Sequence, residues 1–542
     1  MPTQLTAPRP PLTPAEEKPV TQRPPASTLP GVLREIARRH PDREAVVAPS
    51  TRLTYRALAA EVDRAARGLQ RLGISRGDKV AILMGNQPEW IVAALAVTTL
   101  GAIVVSMNTW WTPREIEYAL SHSDARLLVC TRRYLRHDYE KEIASLRGRL
   151  PLLRHVVGVG DELPPDWQRF DELDADQSPG EIPLIPEPDD PAFLLYTSGS
   201  TSNPKAVQLL HRGMVENTWH IGERQRLSEQ DRLWLGVSLF WGFGCSNALP
   251  AVLSHGGCVV LQDSFDPGRA LELMEAERCT VFYGTPNMVQ AVVDHPEFAT
   301  RQLRLRTGTT FGNAAQMQRA LRLAPEICNV YGMTETYGNS HVAGAGETPA
   351  VRTACCGTPL PGLAQRIVHP DTEEDLPAGQ IGEIRIKGYA VSYYKDEAQT
   401  DAAFDDQGYF KSRDLGCVDA EGRLQFHGRL KEMVKTGGIN VSPAEIEAVL
   451  MTHPDVHLAV VVGVPHPTRD EVLAAVIVPQ AGRMPSDTEL LDHCRRELAP
   501  YKVPSFVRLS SEADLPLTTT GKVQKNRIAE VFFEPAVPAI AN

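Results

Sequence analysis

The sequence lacks any run of about 20 apolar residues, the length that a helix needs to cross a bilayer. It also begins without the charged-then-apolar pattern of a secretory signal, so we expect a cytoplasmic protein with no membrane span. Positive charge is scarce: 56 Lys and Arg stand against 67 Asp and Glu, for a formal net charge of −11. An acidic chain is a poor partner for nucleic acid or an anionic membrane. Any phosphate-bearing ligand must therefore be met by a local positive site.

Cysteine spacing gives neither a metal site nor a disulfide framework. The nine cysteines include no Cys-x-x-Cys pair, and Cys355 and Cys356 are adjacent, which does not suit two ligands of one ion. We expect reduced, mostly buried thiols, as in cytosolic proteins.

Length and composition divide the chain into several units. At about 150 residues per domain, 542 residues predict three or four of them. Residues 1–30 are rich in proline and poor in large apolar side chains, which predicts a disordered leader. We place a large domain at 31–428, a charged hinge at 429–431, a mobile small domain at 432–533 and a loose tail at 534–542.

Hydrophobic periodicity predicts α/β structure. A helical pattern over 55–72 ends at Gly73, and a strand-like run at 80–84, a helix at 90–100 and a strand at 102–106 follow. Strand–helix–strand spacing, repeated over 234–330, indicates parallel sheets covered by helices. Short alternating runs over 356–427 predict a small antiparallel sheet or barrel. We therefore predict an α/β protein: two flavodoxin-like subdomains and a β-barrel-like subdomain, then a small α+β domain whose first helix has a capping box at Ser442 and Glu445.

The segment 196–205, Tyr-Thr-Ser-Gly-Ser-Thr-Ser-Asn-Pro-Lys, follows an apolar strand-like run. Its small residues expose backbone N–H groups and hydroxyls, and Lys205 adds positive charge, which are the parts needed to hold a polyphosphate. The spacing does not fit a Walker loop. Alone, the segment could equally be a solvated loop.

Four further segments could complete a nucleotide site. The stretch 329–336, Asn-Val-Tyr-Gly-Met-Thr-Glu-Thr, offers an aromatic ring for a base and a carboxylate for a phosphate-bound Mg²⁺. Asp414 could accept two hydrogen bonds from a ribose diol. The basic stretches 428–438 and 517–523 contain Lys435 and Lys522. Each alone could be an ordinary turn.

The order of these five segments, with Leu-Ala-Pro-Tyr-Lys-Val-Pro at 498–504 as a sixth, resembles the adenylate-forming superfamily of acyl-CoA synthetases, peptide-synthetase adenylation domains and luciferases. The likeness covers roughly residues 30 to 533. It implies that ATP and a carboxylic acid form an acyl-AMP with release of pyrophosphate, and that the acyl group then passes to coenzyme A.

The resemblance also implies a role for each matching residue. The β- and γ-phosphates would be held by Thr197, Ser198, Gly199, Ser200, Thr201 and Lys205. The adenine and ribose would be held by Gly312, Asn313, Ala314, Asn329, Tyr331, Gly332, Asp414 and Arg429. Thr334 would touch the α-phosphate, Glu335 would bind magnesium, and Lys522 would bridge the reacting carboxylate and the α-phosphate.

A second set would serve thioester formation. The small domain would turn about Lys431, withdrawing Lys522 and bringing the face that bears Lys435, Gly437 and Gly438 toward the thiol tunnel. Paired glycines suit this place because a bare backbone lets a thin pantetheine arm pass closely.

Several positions depart from the family pattern. Ser202 and Ala206 replace glycines of the phosphate loop, and Arg413 replaces the glycine before Asp414, either as a surface charge or as an added contact to the nucleotide or the small domain. Trp241 stands where similar ligases commonly have histidine beside the acyl pocket. This favours a small, flat or compact acid, although Trp241 could instead be a packing substitution. The predicted pocket comprises Phe240, Trp241, Phe243, Asn247 and Thr309.

Three alternatives remain open on the sequence. The acyl group could pass to a carrier protein or an amine, although no carrier domain follows Lys522. The same scaffold could activate a non-carboxylate such as nitrite, as in some relatives that modify an aryl amine, and the missing pocket histidine makes this worth testing. The chain could also bind nucleotide without catalysis, against which Glu335, Asp414 and Lys522 argue.

Overall fold

The computed structural model describes residues 23–174, 182–197, 204–436, 439–466, 470–498, 502–517 and 522–533. The strands are β1 (Glu44–Ala48), β2 (Thr51–Thr54), β3 (Lys79–Leu83), β4 (Ile103–Ser106), β5 (Leu127–Thr131), β6 (Arg133–Tyr134), β7 (His137–Asp138), β8 (His155–Val159), β9 (Gln168–Arg169), β10 (Pro191–Thr197), β11 (Lys205–Leu210), β12 (Arg232–Leu235), β13 (Cys258–Leu261), β14 (Val281–Tyr283), β15 (Thr307–Thr310), β16 (Glu326–Tyr331), β17 (His341–Val342), β18 (Ala364–Val368), β19 (Gly382–Lys387), β20 (Ser392–Tyr393), β21 (Phe410–Val418), β22 (Leu424–Arg429), β23 (Val434–Thr436), β24 (Ile439–Val441), β25 (Val456–His466), β26 (Asp470–Pro479) and β27 (Phe506–Leu509).

The α-helices are α1 (Leu29–Arg39), α2 (Tyr55–Arg71), α3 (Pro88–Thr99), α4 (Pro113–His122), α5 (Tyr139–Leu146), α6 (His211–Gln225), α7 (Leu249–Ser254), α8 (Pro267–Ala276), α9 (Pro286–Val293), α10 (Ala314–Leu323), α11 (Pro349–Ala354), α12 (Glu397–Ala402), α13 (Pro443–Leu450), α14 (Asp487–Glu497) and α15 (Lys525–Phe533). Helix α1 begins inside the stretch assigned to a leader, and its first residues, Leu29 and Pro30, are buried.

Two eight-stranded sheets build the large domain. One has the order β17-β16-β15-β14-β12-β13-β1-β2 and the other β20-β11-β10-β4-β3-β5-β8-β9. Their central strands are parallel, and antiparallel strands lie toward the edges. The predicted α/β architecture is thus confirmed.

Helices α2 and α3 show how the sequence determines the layers. Helix α2 buries one apolar stripe and is followed by Gly73 at φ +81, as its pattern predicts. Helix α3 is apolar on all sides, with eleven of its twelve residues buried. A helix of that kind belongs inside the protein, and residues of α3 pack in the same core as residues from both large sheets.

The third sheet, predicted as a small antiparallel sheet or barrel, is four-stranded and antiparallel, in the order β18-β19-β21-β22. The small C-terminal domain pairs β24, β23, β26 and β25, with β27 parallel to β26. Helices α13, α14 and α15 pack on this last sheet. The small domain is α+β, as predicted.

The capping box predicted at the start of α13 is wrong. The Ser442 hydroxyl donates to the carbonyl of His427 at the end of the large domain, and the Glu445 carboxylate accepts from the Lys502 ammonium at 2.6 and 2.8 Å. Both side chains have found partners outside their own helix. The N-cap residue thereby links the two domains.

All nine cysteines are buried and free, as expected. Within the part of the chain that is described, no helix is both long and apolar enough to span a bilayer.

Candidate active site

The predicted site residues gather where parallel strands end. Strand β10 ends at Thr197, β15 ends just before Gly312, and β16 ends at Tyr331. In open α/β sheets, ligands bind in the crevice outside the carboxyl ends of the strands. Segments that lie far apart in sequence are therefore brought to one face of the large domain.

Helix α4 holds both ends of the predicted phosphate loop. Tyr196, just before the loop, donates to the Ala119 carbonyl at 3.1 Å and lies 3.0 Å from His122 Nδ1. Tyr118 donates to the carbonyl of Pro204 at 3.2 Å. Since Thr197 and Lys205 are also cross-strand partners, the loop leaves and re-enters the sheet at one fixed place. Ser198, Gly199, Ser200, Thr201 and Ser202 lie outside the described residues.

Tyr331, Asp414 and Arg429 meet in the nucleotide half of the site. The Tyr331 hydroxyl donates to Asp414 Oδ2 at 2.9 Å, and Arg429 Nε lies 3.5 Å from Asp414 Oδ1. Asp414 and Arg429 face each other across β21 and β22. The exposed ring of Phe426 stacks on Tyr331, with centroids 5.7 Å apart. The sequence predicted the first three residues but not Phe426.

Burial sets the electrostatics of this group. It raises the pKa of Asp414 to about 6, outweighing the opposite effect of Arg429. Lys522 keeps exposed surface, but the protein around its ammonium dehydrates it, and together with the positive charge of Arg429 this lowers the pKa of Lys522. Lys522 thus lies close enough to Arg429 for the two positive charges to interact.

Glu335 is held by a residue that the sequence did not indicate. It lies in the 3₁₀ turn Thr334–Thr336 that follows β16, and its Oε1 accepts from the Tyr393 hydroxyl at 2.9 Å. Lys205 Nζ lies 5.1 Å from the centroid of the Tyr393 ring. Burial and the charge of Glu335 raise the pKa of Tyr393, so the phenol remains a hydrogen-bond donor. Tyr393 connects the phosphate-loop lysine to the predicted magnesium ligand.

The single carboxylate of Glu335 fits a magnesium ion that arrives with a nucleotide. Among the described residues, no group of three or more His, Cys, Asp or Glu side chains could hold a metal ion. Mg²⁺ commonly binds through one or two carboxylates, with phosphate and water oxygens completing the octahedron. The residues present fit that mode and not a resident metal.

Two glycines allow the loop after β16 to fold tightly. A Cβ on Gly332 would lie 2.2 Å from the carbonyl oxygen of Gly338, and one on Gly338, where φ is +101, would lie 2.8 Å from Asn247 Nδ2. Neither approach leaves room for a side chain. The same loop therefore carries Thr334 and Glu335 and also borders the predicted acyl pocket.

The predicted pocket residues form two aromatic groups. Trp241 and Phe240 pack edge-to-face with Trp110, with centroids 5.3 and 5.1 Å from its ring. Phe243 packs on Tyr283 at 5.4 Å and on Phe311 at 6.1 Å. Asn247 lies in the π-helical turn Gly244–Ala248 that leads into α7. Thr309 is buried at the carboxyl end of β15.

The remaining predicted residues have defined places in the backbone. Asn313 caps α10 through a capping box with Gln316 and follows Gly312, and Asn329 is buried on β16. Lys431 lies in the 3₁₀ turn Leu430–Glu432 at the domain boundary, and Lys435 on β23. Gly437 and Gly438 lie outside the described residues.

Sequence reasoning missed Tyr393, Phe426, Tyr283 and Trp110. Tyr393 lies on a two-residue strand, and the pattern around it gives no signal. Phe426 carries a weak signal, because a large aromatic residue on an exposed strand face calls for a partner or a ligand.

Comparison with known proteins agrees with this geometry. Residues 33–393 match the family described as AMP-binding enzyme, and residues 445–522 match the AMP-binding enzyme C-terminal domain. A feruloyl-CoA synthase of Amycolatopsis is 34% identical, over 92% of this chain and 97% of that protein. An acyl-CoA ligase of Ajellomyces capsulatus is 32% identical, over 93% and 91%.

A solved structure of the anthranilate CoA ligase AuaEII in complex with anthranoyl-AMP superposes with a TM-score of 0.85 at 26% identity, covering 95% of this chain and 98% of that one. Two matched domains in the expected order, close relatives along almost the whole length and a shared fold lead to one assignment. The chain belongs to the AMP-binding, adenylate-forming enzyme family, and within it to the acyl-CoA synthetases, which are acid–thiol ligases.

Proposed function

We propose that the enzyme uses ATP and Mg²⁺ to convert a small, flat or compact carboxylic acid, aromatic in our preferred assignment, to its acyl-AMP and pyrophosphate, and then transfers the acyl group to coenzyme A. One observation carries the proposal: Tyr331, Asp414 and Arg429 form a single bonded group, and Lys522 of the small domain lies close enough to Arg429 for their charges to interact.

The first half-reaction joins two anions and so needs positive charge at the reacting atoms. A carboxylate oxygen of the acid attacks the α-phosphorus, a new O–P bond forms, and the bond to the β-phosphate oxygen breaks to release pyrophosphate. Lys522 would neutralise charge on the carboxylate and the α-phosphate. When bound, Mg²⁺ supplies Lewis-acid stabilisation of the phosphate oxygens, and Glu335 is the residue that would hold it.

Nucleotide binding relies on the groups that the protein already pairs. Asp414 would accept hydrogen bonds from the ribose hydroxyls, and Tyr331 and Phe426 offer aromatic surface to the adenine. Lys205 and the hydroxyls of the loop would hold the β- and γ-phosphates. Holding both reactants in line can lower the barrier by up to about 7–11 kcal/mol.

The second half-reaction needs a different environment. The thiol sulfur attacks the acyl carbon, the bond to the AMP oxygen breaks, and AMP leaves with the electron pair. We propose that the small domain turns about Lys431 between the two steps, which removes Lys522 and admits the pantetheine arm beside Lys435.

Aromatic surface supports an aromatic or similarly flat acid. Trp241 and Phe243 belong to two aromatic groups, and flat rings pack well in offset or edge-to-face contact with such surfaces. Relatives with bulky or aromatic acids in their names, the feruloyl-CoA synthase and the anthranilate CoA ligase, are consistent with this choice.

A pyrophosphate-release screen tests the proposal. Aryl, short-chain and medium-chain acids are each offered with ATP, Mg²⁺ and coenzyme A, and acyl-CoA is measured by mass spectrometry. Parallel reactions replace the acid by nitrite, or coenzyme A by a pantetheinylated carrier protein or an amine. We expect acyl-CoA from compact or aryl acids and no turnover without Mg²⁺.

Two outcomes would contradict the proposal. Pyrophosphate release with nitrite and with no acid would assign the scaffold to a different oxyanion. Acyl-AMP formation followed by transfer only to a carrier protein or an amine would change the acceptor while leaving the first half-reaction in place.

A further inference from the structure

Asn247 is a buried amide with no hydrogen-bond partner among the described residues. Neither Oδ1 nor Nδ2 is paired, and the residue has no exposed surface. Since buried polar groups in proteins are nearly always bonded, something outside the described protein must complete this amide.

The neighbouring residue shows that the local backbone does not impose this state. Ser246 is equally buried and lies in the same π-helical turn, yet its hydroxyl donates to the carbonyl of Gly242 at 2.9 Å. Single π-helical turns are frequently found at functional sites. Asn247 is thus a specific exception within a satisfied segment.

The surroundings place the Asn247 amide at the acyl pocket. Phe243, one turn earlier, packs on Tyr283 and Phe311. On another side, Gly338 approaches so closely that a Cβ there would lie 2.8 Å from Asn247 Nδ2. Gly338 closes the loop that carries Thr334, the residue expected at the α-phosphate.

Two further buried amides lie at the loop that contains Gly338. Asn217 Nδ2 donates to the carbonyl of Asn339 at 2.9 Å, but Asn217 Oδ1 and Asn339 Nδ2 have no partner within the described ranges. Both residues are buried, and Asn339 directly follows Gly338. An acyl pocket for a plain hydrocarbon acid would not require such groups, because each unpaired one is costly to bury.

We propose that Asn247 determines specificity for an acid that carries a neutral polar substituent, a hydroxyl or a primary amino group, on its flat body. The amide offers one donor and one acceptor side by side, and a hydroxyl can accept from Nδ2 or donate to Oδ1. This inference rests on the proposed acid-activating function and narrows its substrate class.

The test compares matched acids that differ only in the polar group. The pairs are benzoate with its three monohydroxy and three monoamino derivatives, cinnamate with hydroxycinnamates, and hexanoate with hydroxyhexanoates. Values of kcat/KM are measured for the wild type, Asn247→Leu and Asn247→Ala. Ser246→Ala is the matched control, because the Ser246 hydroxyl is already paired inside the protein.

We expect the wild type to prefer at least one polar acid over its parent by about tenfold or more, since a site built to bond a hydroxyl rejects analogues that lack it. Asn247→Leu should bring that ratio to about one or reverse it. Ser246→Ala should leave the ratio unchanged. The hydroxy and amino series show which of the two groups is recognised.

Stability provides an independent readout. If the amide awaits a ligand, Asn247→Leu should unfold at the same or a higher temperature than the wild type without ligand, because an unpaired buried amide is replaced by an apolar group of similar size. A lower unfolding temperature with an unchanged acid preference would identify a structural amide completed by water and overturn the proposal.

Equal activity on parent and polar acids in every pair would also overturn it, with the proposed function left standing. If no acid in the series gives pyrophosphate or acyl-CoA, the proposed function and this inference both fail.

Discussion

The nucleotide half and the acyl half of the site differ in how far the protein satisfies its own polar groups. In the nucleotide half, Tyr331 is bonded to Asp414, and Glu335 to Tyr393. In the acyl half, Asn247 is buried, and both of its amide atoms lack a partner among the described residues. The nucleotide half is largely organised before any ligand arrives, although Asn329 Oδ1 is buried there without a partner in the described ranges, whereas the acyl half leaves both atoms of one amide for a ligand to complete.

The difference matches the chemistry that each half must perform. ATP is the same molecule in every member of the family, so its groups can be held by fixed pairs that require little reorganisation on binding. The acid varies from one enzyme to another, and specificity comes from buried groups that only the correct substrate can satisfy. Substitutions in the two halves should therefore have different consequences.

The largest effect is expected for Lys522→Ala, which removes the positive charge that we propose acts on the reacting atoms. Adenylation should fall by about 10²–10³-fold, as for the loss of one strong electrostatic stabiliser. Thioester formation from ready-made acyl-AMP should remain near the wild-type rate. Pyrophosphate release and acyl-CoA formation from synthetic acyl-AMP are measured separately.

The lowered pKa of Lys522 also predicts how adenylation depends on pH. Its pKa is lowered, so the ammonium loses its proton at a lower pH than an ordinary lysine, and adenylation should decline on the alkaline side while thioester formation from acyl-AMP shows no such limb. If the Lys522→Ala variant adenylated at the wild-type rate, Lys522 would have no role in the first half-reaction. The proposal of a preorganised nucleotide half would then be wrong.

Asp414→Asn tests how much stability the unliganded protein loses by keeping this carboxylate in place for the nucleotide. Because burial raises the pKa of Asp414 from 3.8 to about 6, the ionised carboxylate destabilises the unliganded fold above pH 6 by at most about 3 kcal/mol. The variant should be more stable there, and the gain should vanish as the pH falls toward 4. At the same time KM for ATP should rise about tenfold or more, from the loss of a charged acceptor.

Thermal unfolding from pH 4 to 8 and ATP saturation curves check this pair of effects. Asp406→Asn, an exposed acid before β21, is the control and should show neither. If Asp414→Asn were less stable than the wild type at pH 8, the main role of the carboxylate would be to pair with Arg429 and not to bind the nucleotide.

Tyr393→Phe should have a smaller effect. It deletes the hydrogen bond to Glu335 and keeps the ring beside Lys205, so adenylation should fall by about 3–10-fold and more Mg²⁺ should be needed for half-maximal rate. Tyr394→Phe, which loses a bond to Asp124 instead, should leave the Mg²⁺ dependence unchanged. If both variants showed the same shift in Mg²⁺ dependence, the effect would come from altered packing and not from the position of the metal.

The fold followed from the sequence because its signals are local. The helix over 55–71 and the strand β4 at 103–106 agree with their patterns to within a residue. The start of α13 did not follow, because Ser442 bonds to His427 and not to its own helix. A capping pattern is also local, but here partners that are distant in sequence compete for the same hydroxyl.

The candidate site followed only through the resemblance. Tyr331 and Asp414 are 83 residues apart and Glu335 and Tyr393 are 58 apart, and no local pattern indicates that either pair meets. Family motifs named three of these four residues, while Tyr393 lies outside any motif. Asn247 could be named as a pocket residue from its position, but its unpaired state required coordinates.

At Arg413, sequence and structure together explain most about a departure from the family pattern. The family commonly has glycine at this position, and Arg413 adopts φ +61, a left-handed backbone that disfavours side chains by about 1–2 kcal/mol. Its backbone N–H donates to Glu383 at 3.1 Å, so the conformation is fixed by the sheet. The departure noted in the sequence is therefore a strained one.

Arg413→Gly should give the smallest effect, a gain of about 0.5–1 kcal/mol, because relief of strain is partly offset by the greater freedom of glycine in the unfolded chain. Arg413→Ala removes the same charge but keeps the Cβ, and should gain nothing in thermal unfolding without ligand. KM for ATP separates the two interpretations of the side chain. If the KM for ATP rises equally in both variants, Arg413 contacts the nucleotide or the small domain, and the backbone strain is retained for function. If the KM is unchanged in both variants, the strained residue lies outside the preorganised nucleotide half, which then ends at Asp414.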